Sequence, residues 1–230
     1  MAEGKAIPLG EGIKWRANLL LLFLSLKMPG LPDLRADIFF PPLSGLPNDN
    51  NFVDSDLDYY TVLFDTLPPT IKPRRHWCFL AEIVELTEWP TRPMFQAKDI
   101  TGATFLVSFH YADRALFSEV VKRGVIGSTI CVMYASFHHF FDGQTGLRLE
   151  DPKTVKILPL GIEELVGLGQ TIRVDESESS DHFAVRYCSK NCQTQDWKEK
   201  HKKECAAIRQ MKAWNDLDWE TYDIHRGFLA

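Results

Sequence analysis

A chain of 230 residues that is 45% hydrophobic and 25% charged has an ordinary globular composition and can bury at least one sizeable core. Its formal charge of −5 is uneven: residues 31–70 carry seven acids against Arg35 alone, whereas residues 183–212 carry eight bases against three acids, so the acidic total says little about partners of the C-terminal segment. Three of the five cysteines cluster and Cys78 and Cys131 sit in separate apolar runs, which excludes the evenly spread framework of a disulfide-rich secreted domain and points to the cytoplasm or nucleus.

In chain order, the run Leu19–Leu26 follows Lys14 and Arg16, yet Lys27-Met28-Pro29-Gly30 offers no small-x-small cleavage site and the run is too short to span a bilayer. A short docking helix or an ill-defined segment is expected there. Residues 27–75 are rich in Pro, Asp and Asn and read as irregular chain with one short helix near Asp56–Phe64, so residues 1–73 are taken as an irregular N-terminal region.

Strand-forming runs begin at His76-Trp77: Trp77–Leu86, Met94–Lys98, Thr104–His110, Ser128–Phe137, Leu147–Glu150 and Thr154–Leu158. Asp99-Ile100-Thr101-Gly102 and Asp142-Gly143-Gln144-Thr145-Gly146 supply residues that tolerate positive φ and close hairpins. Asp113 can cap a helix with Leu116, Phe117, Val120 and Val121 on one face, ended by Gly124. The last two runs can also be one strand broken at Asp151-Pro152, because proline removes a ladder donor. The order β-β-β-α-β-β predicts an α+β protein with an OB-like five-stranded β-barrel over residues 74–160.

Residues 161–182 read as a short helix, Ile162–Val166, stopped by Gly167 and Gly169, then an acidic linker, Asp175–Asp181. Beyond it Trp197, Ile208, Met211 and Trp214 recur at intervals that fit a basic amphipathic helix or two short ones. Residues 215–230 read as a tail.

Cys188 and Cys192 are four apart, as are His201 and Cys205, so on helices each pair projects from one face. Thiolate sulfur and imidazole nitrogen are donors that Zn²⁺ takes in a tetrahedron, and Lys198, Lys200, Lys202 and Lys203 favour the thiolate form. The pattern Tyr187-Cys188-Ser189-Lys190-x-Cys192-Gln193, then Asp196-Trp197, then His201-Lys202-x-x-Cys205 closely resembles the second half of a MYND-type zinc finger. His76-Trp77-Cys78, Asp142-Gly143 and Gly146-x-x-x-Glu150-Asp151-Pro152 also look like the β-rich region that precedes such a finger in some fungal proteins.

The resemblance implies a helical finger half over residues 183–214, structural zinc held by Cys188, Cys192, His201 and Cys205, and protein partners that offer proline-containing peptides. Gln193 and Trp197 match positions on the family's peptide-facing surface. Trp197 is more readily read as a core residue between two helices. The two Cys-x-x-Cys pairs that open a complete finger have no counterpart in Asp175–Val185, so each family zinc site keeps two ligands of four. Three arrangements stay open: one improvised Cys3His site with a single ion, a helical remnant with none, and a stored sequence that lacks an exon of a natural full finger.

Other chemistry fits less well. An OB-like barrel raises single-stranded nucleic-acid binding, with Trp77, Phe79, Phe105, Phe109, Tyr134, Phe137 and Phe140 as candidates for stacking. Residues 71–160 nevertheless balance eleven bases against nine acids, and most of these aromatics alternate toward a core. His138-His139 with Asp142 would need a bulge to chelate, so structural histidines are expected. His76 and Cys78 share a strand face without a visible orienting acid, which makes Cys78 a buried, inert thiol. The chain lacks phosphate-loop, H-E-x-x-H, nucleophile-elbow and SET-type methyltransferase signatures. The expected function is therefore non-catalytic protein–protein interaction, with nucleic-acid binding by the barrel and basic C-terminal segment as the alternative.

Overall fold

The computed structural model describes residues 30–49, 54–65, 67–87, 91–177 and 202–228. A hairpin of β1 (Tyr60–Leu63) and β2 (Thr70–Pro73) precedes β3 (Cys78–Thr87), β4 (Met94–Lys98) and β5 (Thr104–Phe109). There follow α1 (Phe117–Arg123), β6 (Thr129–Met133), β7 (His138–His139), β8 (Thr145–Leu149), β9 (Val155–Leu158), α2 (Ile162–Ser177) and α3 (Lys202–Asn215).

The main sheet runs β7-β8-β5-β4-β3-β6-β9, antiparallel throughout except for the parallel β5–β8 pair. β6 and β7 lie on one stretch of chain interrupted at Tyr134, whose φ of 55° turns the backbone. The first half of that stretch therefore pairs with β3 and the second with β8, which closes the barrel. The pairing of first strand with second and fourth, and of third with fifth, is that of an OB-like barrel with its helix after the third strand. β3 carries one extra residue between Ile83 and Glu85, a bulge that bends the strand so that it serves both neighbours.

The turns form as their residues dictate. Asp99 Oδ1 accepts hydrogen bonds from the Thr101 and Ala103 backbone and the Thr101 hydroxyl, while Oδ2 accepts from Leu43 N at 2.8 Å, so a buried carboxylate is fully satisfied. Gly102 and Gly143 take positive φ, and Asp113 caps the turn before α1 through Ala115 N at 2.9 Å. Of the α1 residues expected on one face, Phe117 and Val120 pack inward, whereas Val121 is 61% exposed. Asp151-Pro152 does not break a single strand. β8 pairs with β5 and β9 with β6, and a capped turn at Pro152–Thr154 moves the chain from one edge to the other.

Period-two alternation along β3 and β6 divides the apolar side chains between two cores. Phe79, Ala81, Ile83, Ile130 and Val132 point into the barrel with Trp77, Phe105, Phe109 and Leu147. Cys78, Leu80, Cys131 and Met133 face a second core built by Leu31, Leu34, Phe40, α2, α3 and Trp219. Enclosing each large side chain contributes about 1.5–3 kcal/mol, so the second core is a substantial part of the fold.

This outer layer corrects several expectations. α2 runs through Gly167 and Gly169 to Ser177, so neither glycine stops it and the first residues of the expected linker are helical. A Cβ at Gly169 would press on Leu34 Cδ1 at 3.0 Å, which gives that glycine a packing role. The N-terminal region is more than irregular chain: besides β1 and β2, it sends Phe39 O to Cys78 N at 2.8 Å. Residues after Asn215 also pair with the barrel, through Trp219 O to His76 N and Tyr222 N to Arg74 O. Among the described residues no helix is long and apolar enough to cross a membrane. The Leu19–Leu26 run lies outside them.

Candidate functional site

The helix that ends the cysteine-rich segment is fixed to the barrel. Met211 and Trp214 of α3, two of the residues expected to recur along the helix, are buried with Ala207 in the second core, where α3 packs on α2 and β9. Asn215 Oδ1 accepts from Leu31 N at 2.6 Å, tying the end of the helix to the N-terminal segment. Cys205 sits in the first turn of α3 as a half-buried free thiol. Its sulfur is a donor type that zinc takes, and His201, which supplies an imidazole, stands four positions earlier in the sequence. Cys188, Cys192, Gln193, Trp197 and His201 lie outside the described residues, and among the described ones no three His, Cys, Asp or Glu side chains gather as a metal site.

A second constellation was not legible in sequence. His76 is fully buried, with Nδ1 2.6 Å from Tyr134 Oη and Nε2 3.2 Å from Asp223 Oδ1. Arg226 N donates to Tyr134 Oη at 3.0 Å, so the phenol gives its own proton to Nδ1 and the imidazole gives its Nε2 proton to Asp223. Burial lowers the His76 pKa, outweighing the raising effect of Asp223. The Arg226 guanidinium and the Ile224 amide hold Asp223 down at about 2. The orienting acid that sequence reading did not find for His76 is thus Asp223, 147 residues away. With His76 buried, Tyr134 half-buried and Asp223 on the surface, the trio fastens residues 219–226 to the barrel.

Cys78 is fully buried and its pKa lies well above the usual thiol value, through burial first and then the neighbouring Cys131 thiol. His138 Nδ1 meets Asp49 Oδ2 at 2.7 Å, and His139 packs edge-on against Phe137, so neither is drawn to Asp142.

In an OB-fold the outer face of the second and third strands, here β4 and β5, is the one that carries nucleic acid, but Leu106 and Ser108 on that side of β5 are buried. Trp77, Phe79, Phe105 and Phe109 all point away from it into the core. Tyr134 and Phe137 are half-buried against that core. Arg148 pairs with Glu150 at 2.7 Å and Lys98 with Glu82 at 3.1 Å. His110, with Ser108 Oγ at 3.0 Å and Arg92 Nη1 at 2.7 Å from Nε2, is held down at about 4 by burial and then by Arg92 and Arg148, and is neutral at pH 7. Phe141 at the tip of the β7–β8 turn is fully exposed. The face therefore combines mostly paired charge with few free rings.

Strand pairing and the helix position define an α+β protein with an OB-like barrel. Residues 183–205 match the family model of the MYND finger, so the barrel is followed by a MYND-type zinc-finger sequence that runs into α3. No curated protein matches the chain. Among solved structures, the Schizosaccharomyces pombe Stn1-Ten1 complex is similar at 15% identity and a TM-score of 0.32, covering 46% of this chain and 74% of that one. S. pombe Pot1pC bound to single-stranded DNA shows 11% identity and a TM-score of 0.30, over 46% and 94%. The S. cerevisiae mitochondrial single-stranded DNA binding protein Rim1 shows 15% identity and a TM-score of 0.25, over 39% and 100%.

Proposed function

We propose that the chain is a non-catalytic protein-interaction protein in which the barrel is a rigid mount and the MYND-type finger takes proline-containing peptides of partner proteins. The observation that carries this reading is the finger match at residues 183–205, which runs directly into a helix packed on the barrel. A finger mounted this way spends little orientational entropy when a peptide docks. Zinc has a structural role, held by Cys205 with His201, Cys188 and Cys192. Trp197 and Gln193 are the peptide-facing candidates, since an aromatic slot suits polyproline-II segments. Complete burial of His76, bonded through one nitrogen to Tyr134 and through the other to Asp223, supports a structural role for that trio over a catalytic one. The free thiols Cys78, Cys131 and Cys205 support a reducing compartment, cytoplasm or nucleus.

Single-stranded nucleic-acid binding is the second reading, supported by the OB-like strand order. The inward rings and paired charges of the open face weigh against it. The test titrates the full chain with a proline-rich peptide and with oligothymidylate at low and high salt. Peptide binding that resists salt and is lost in Cys205→Ser is expected. Oligothymidylate binding that falls steeply with salt, without peptide binding, would overturn the proposal.

A further inference from the structure

We propose that the chain associates head to tail with copies of itself, the tip of the β1–β2 hairpin of one copy seated in the groove beside α1 of the next. β1 and β2 form a sheet of their own, and Tyr60 at its base rests edge-on against Trp77 at 5.6 Å. The loop that joins them carries two bare apolar side chains, Phe64 at 79% exposure and Leu67 at 97%. Left in water, they forgo the burial that stabilises such side chains elsewhere in the fold. Asp65 lies between them in the loop, and residues 51–70 contain no lysine or arginine to offset it. Lys72, the next base along the chain, stands over the Tyr222 ring. Among the described residues Asp65 makes no ion pair. The tip is an apolar knob with a negative charge.

A hollow of matching character lies at the other end of β3. Between that end, the start of β4 and α1, a groove of about 670 Å³ is lined by Leu86, Met94, Phe95, Phe117 and Val121. Hollows of this size take a drug-sized body, and the side chains of Phe64 and Leu67 together are no larger. The charged residues of the lining are Arg92 and Lys122, with no acid. Arg92 touches the neutral His110 ring at 2.7 Å and makes no ion pair among the described residues. Lys122 meets Glu119 only at 3.9 Å, with both side chains largely in solvent, so that pair is weak. An acid that enters the groove therefore meets positive charge.

The two features stand apart on one molecule. Trp77 precedes β3 and Leu86 lies near its end, and ten residues of strand span about 30 Å, whereas the four-residue strands of the hairpin reach only about 13 Å. A copy thus cannot fill its own groove. Groove against groove would oppose Arg92 and Lys122 to themselves, and tip against tip would oppose Asp65. Tip into groove matches shape and sign, a heterologous contact that repeats along a chain of copies or closes a ring. Few side chains meet, which places the contact among weak interfaces. Each copy adds one finger segment, so on the function proposed above an assembly holds a partner with repeated peptides by avidity.

Sedimentation velocity of the full chain without peptide tests the association, so this proposal and the peptide reading fail separately. The sedimentation coefficient is expected to rise between about 5 and 500 μM chain. The double variant Phe64→Ser, Leu67→Ser removes the knob, and Val121→Glu puts an acid into the groove. Each is expected to shift association to at least about tenfold higher concentration, with unchanged urea midpoints because all three side chains are exposed. Mixed in equal amounts, the two variants are expected to form a dimer and grow no further, since one supplies an intact groove and the other an intact tip. Phe141→Ser, which removes a bare ring elsewhere, leaves association unchanged. A chain that stays monomeric throughout, association that survives either variant, or a mixture that remains monomeric would overturn the proposal. So would association lost only when residues 1–29 are removed.

Discussion

Tyr134 Oη and His76 Nδ1 lie 2.6 Å apart, and this hydrogen bond joins the bend that closes the barrel to the start of its first strand. A bulky residue at a φ of 55° is uncommon, and Tyr134 is held there by edge-on packing on Trp77 and by the bonds its hydroxyl makes. Tyr134→Phe keeps the ring but strands His76 Nδ1 and the Arg226 amide. A loss of about 1–3 kcal/mol is expected from urea unfolding, with faster proteolysis after Trp219. Equal stability of parent and variant would show that the trio contributes nothing.

The pH dependence follows from the same histidine. Both His76 and His110 have folded-state pKa values below the ordinary value of 6.5, so the unfolded chain binds more protons than the folded one as pH falls through about 6.5. Stability is therefore complete above that value and declines with acidification, through about 4 for His110. Asp223, held at about 2 in the folded chain, adds nothing to the slope until pH falls below the ordinary carboxylate value of 3.8. Urea midpoints at pH 7, 6 and 5, measured beside the imidazole proton resonances, test this. A His76 resonance titrating above 6.5 would reverse the sign.

Two glycines separate packing from propensity. At Gly146 an added Cβ would collide with the Leu106 carbonyl oxygen across the parallel β5–β8 pair. Gly146→Ala is expected to cost about 3 kcal/mol or prevent folding, because the backbone has no room to give. Gly167 faces open space within α2, and Gly167→Ala should stabilise by roughly 0.5–1 kcal/mol. Thermal melts of both variants provide the comparison.

The barrel was legible because its signals are local. Strand runs, the Asp99–Gly102 and Asp142–Gly146 turns and the Asp113 cap each act within a few residues. The second core was not, since Leu34, Leu80, Met133 and Met211 meet only in the fold and nothing in their spacing announces it. Gly169 misled for the same reason: a helix stop in isolation, it becomes a contact with Leu34. Asp223 likewise gains its role from a residue far away in sequence, His76. The finger motif was visible because it is defined by residue type and interval, which survive without a structure.

The coupling between finger and barrel gives the last expectation. Cys205 stands six residues before Met211 on one continuous helix, and Met211 is fully buried in the second core. Metal held at Cys205 would therefore stabilise the helix that seals the second core, by mass action on the folded state. Native mass spectrometry of the full chain is expected to count one zinc, and chelation to lower the melting temperature. Met211→Ala opens a cavity at the base of the same helix and should cost about 2–5 kcal/mol. If the coupling is real, that variant also holds zinc more weakly, although Met211 is no ligand. Zinc affinity unchanged in Met211→Ala, with stability reduced, would show that the finger segment and the barrel are energetically separate. Two tightly held ions would contradict the four-ligand inventory of Cys188, Cys192, His201 and Cys205.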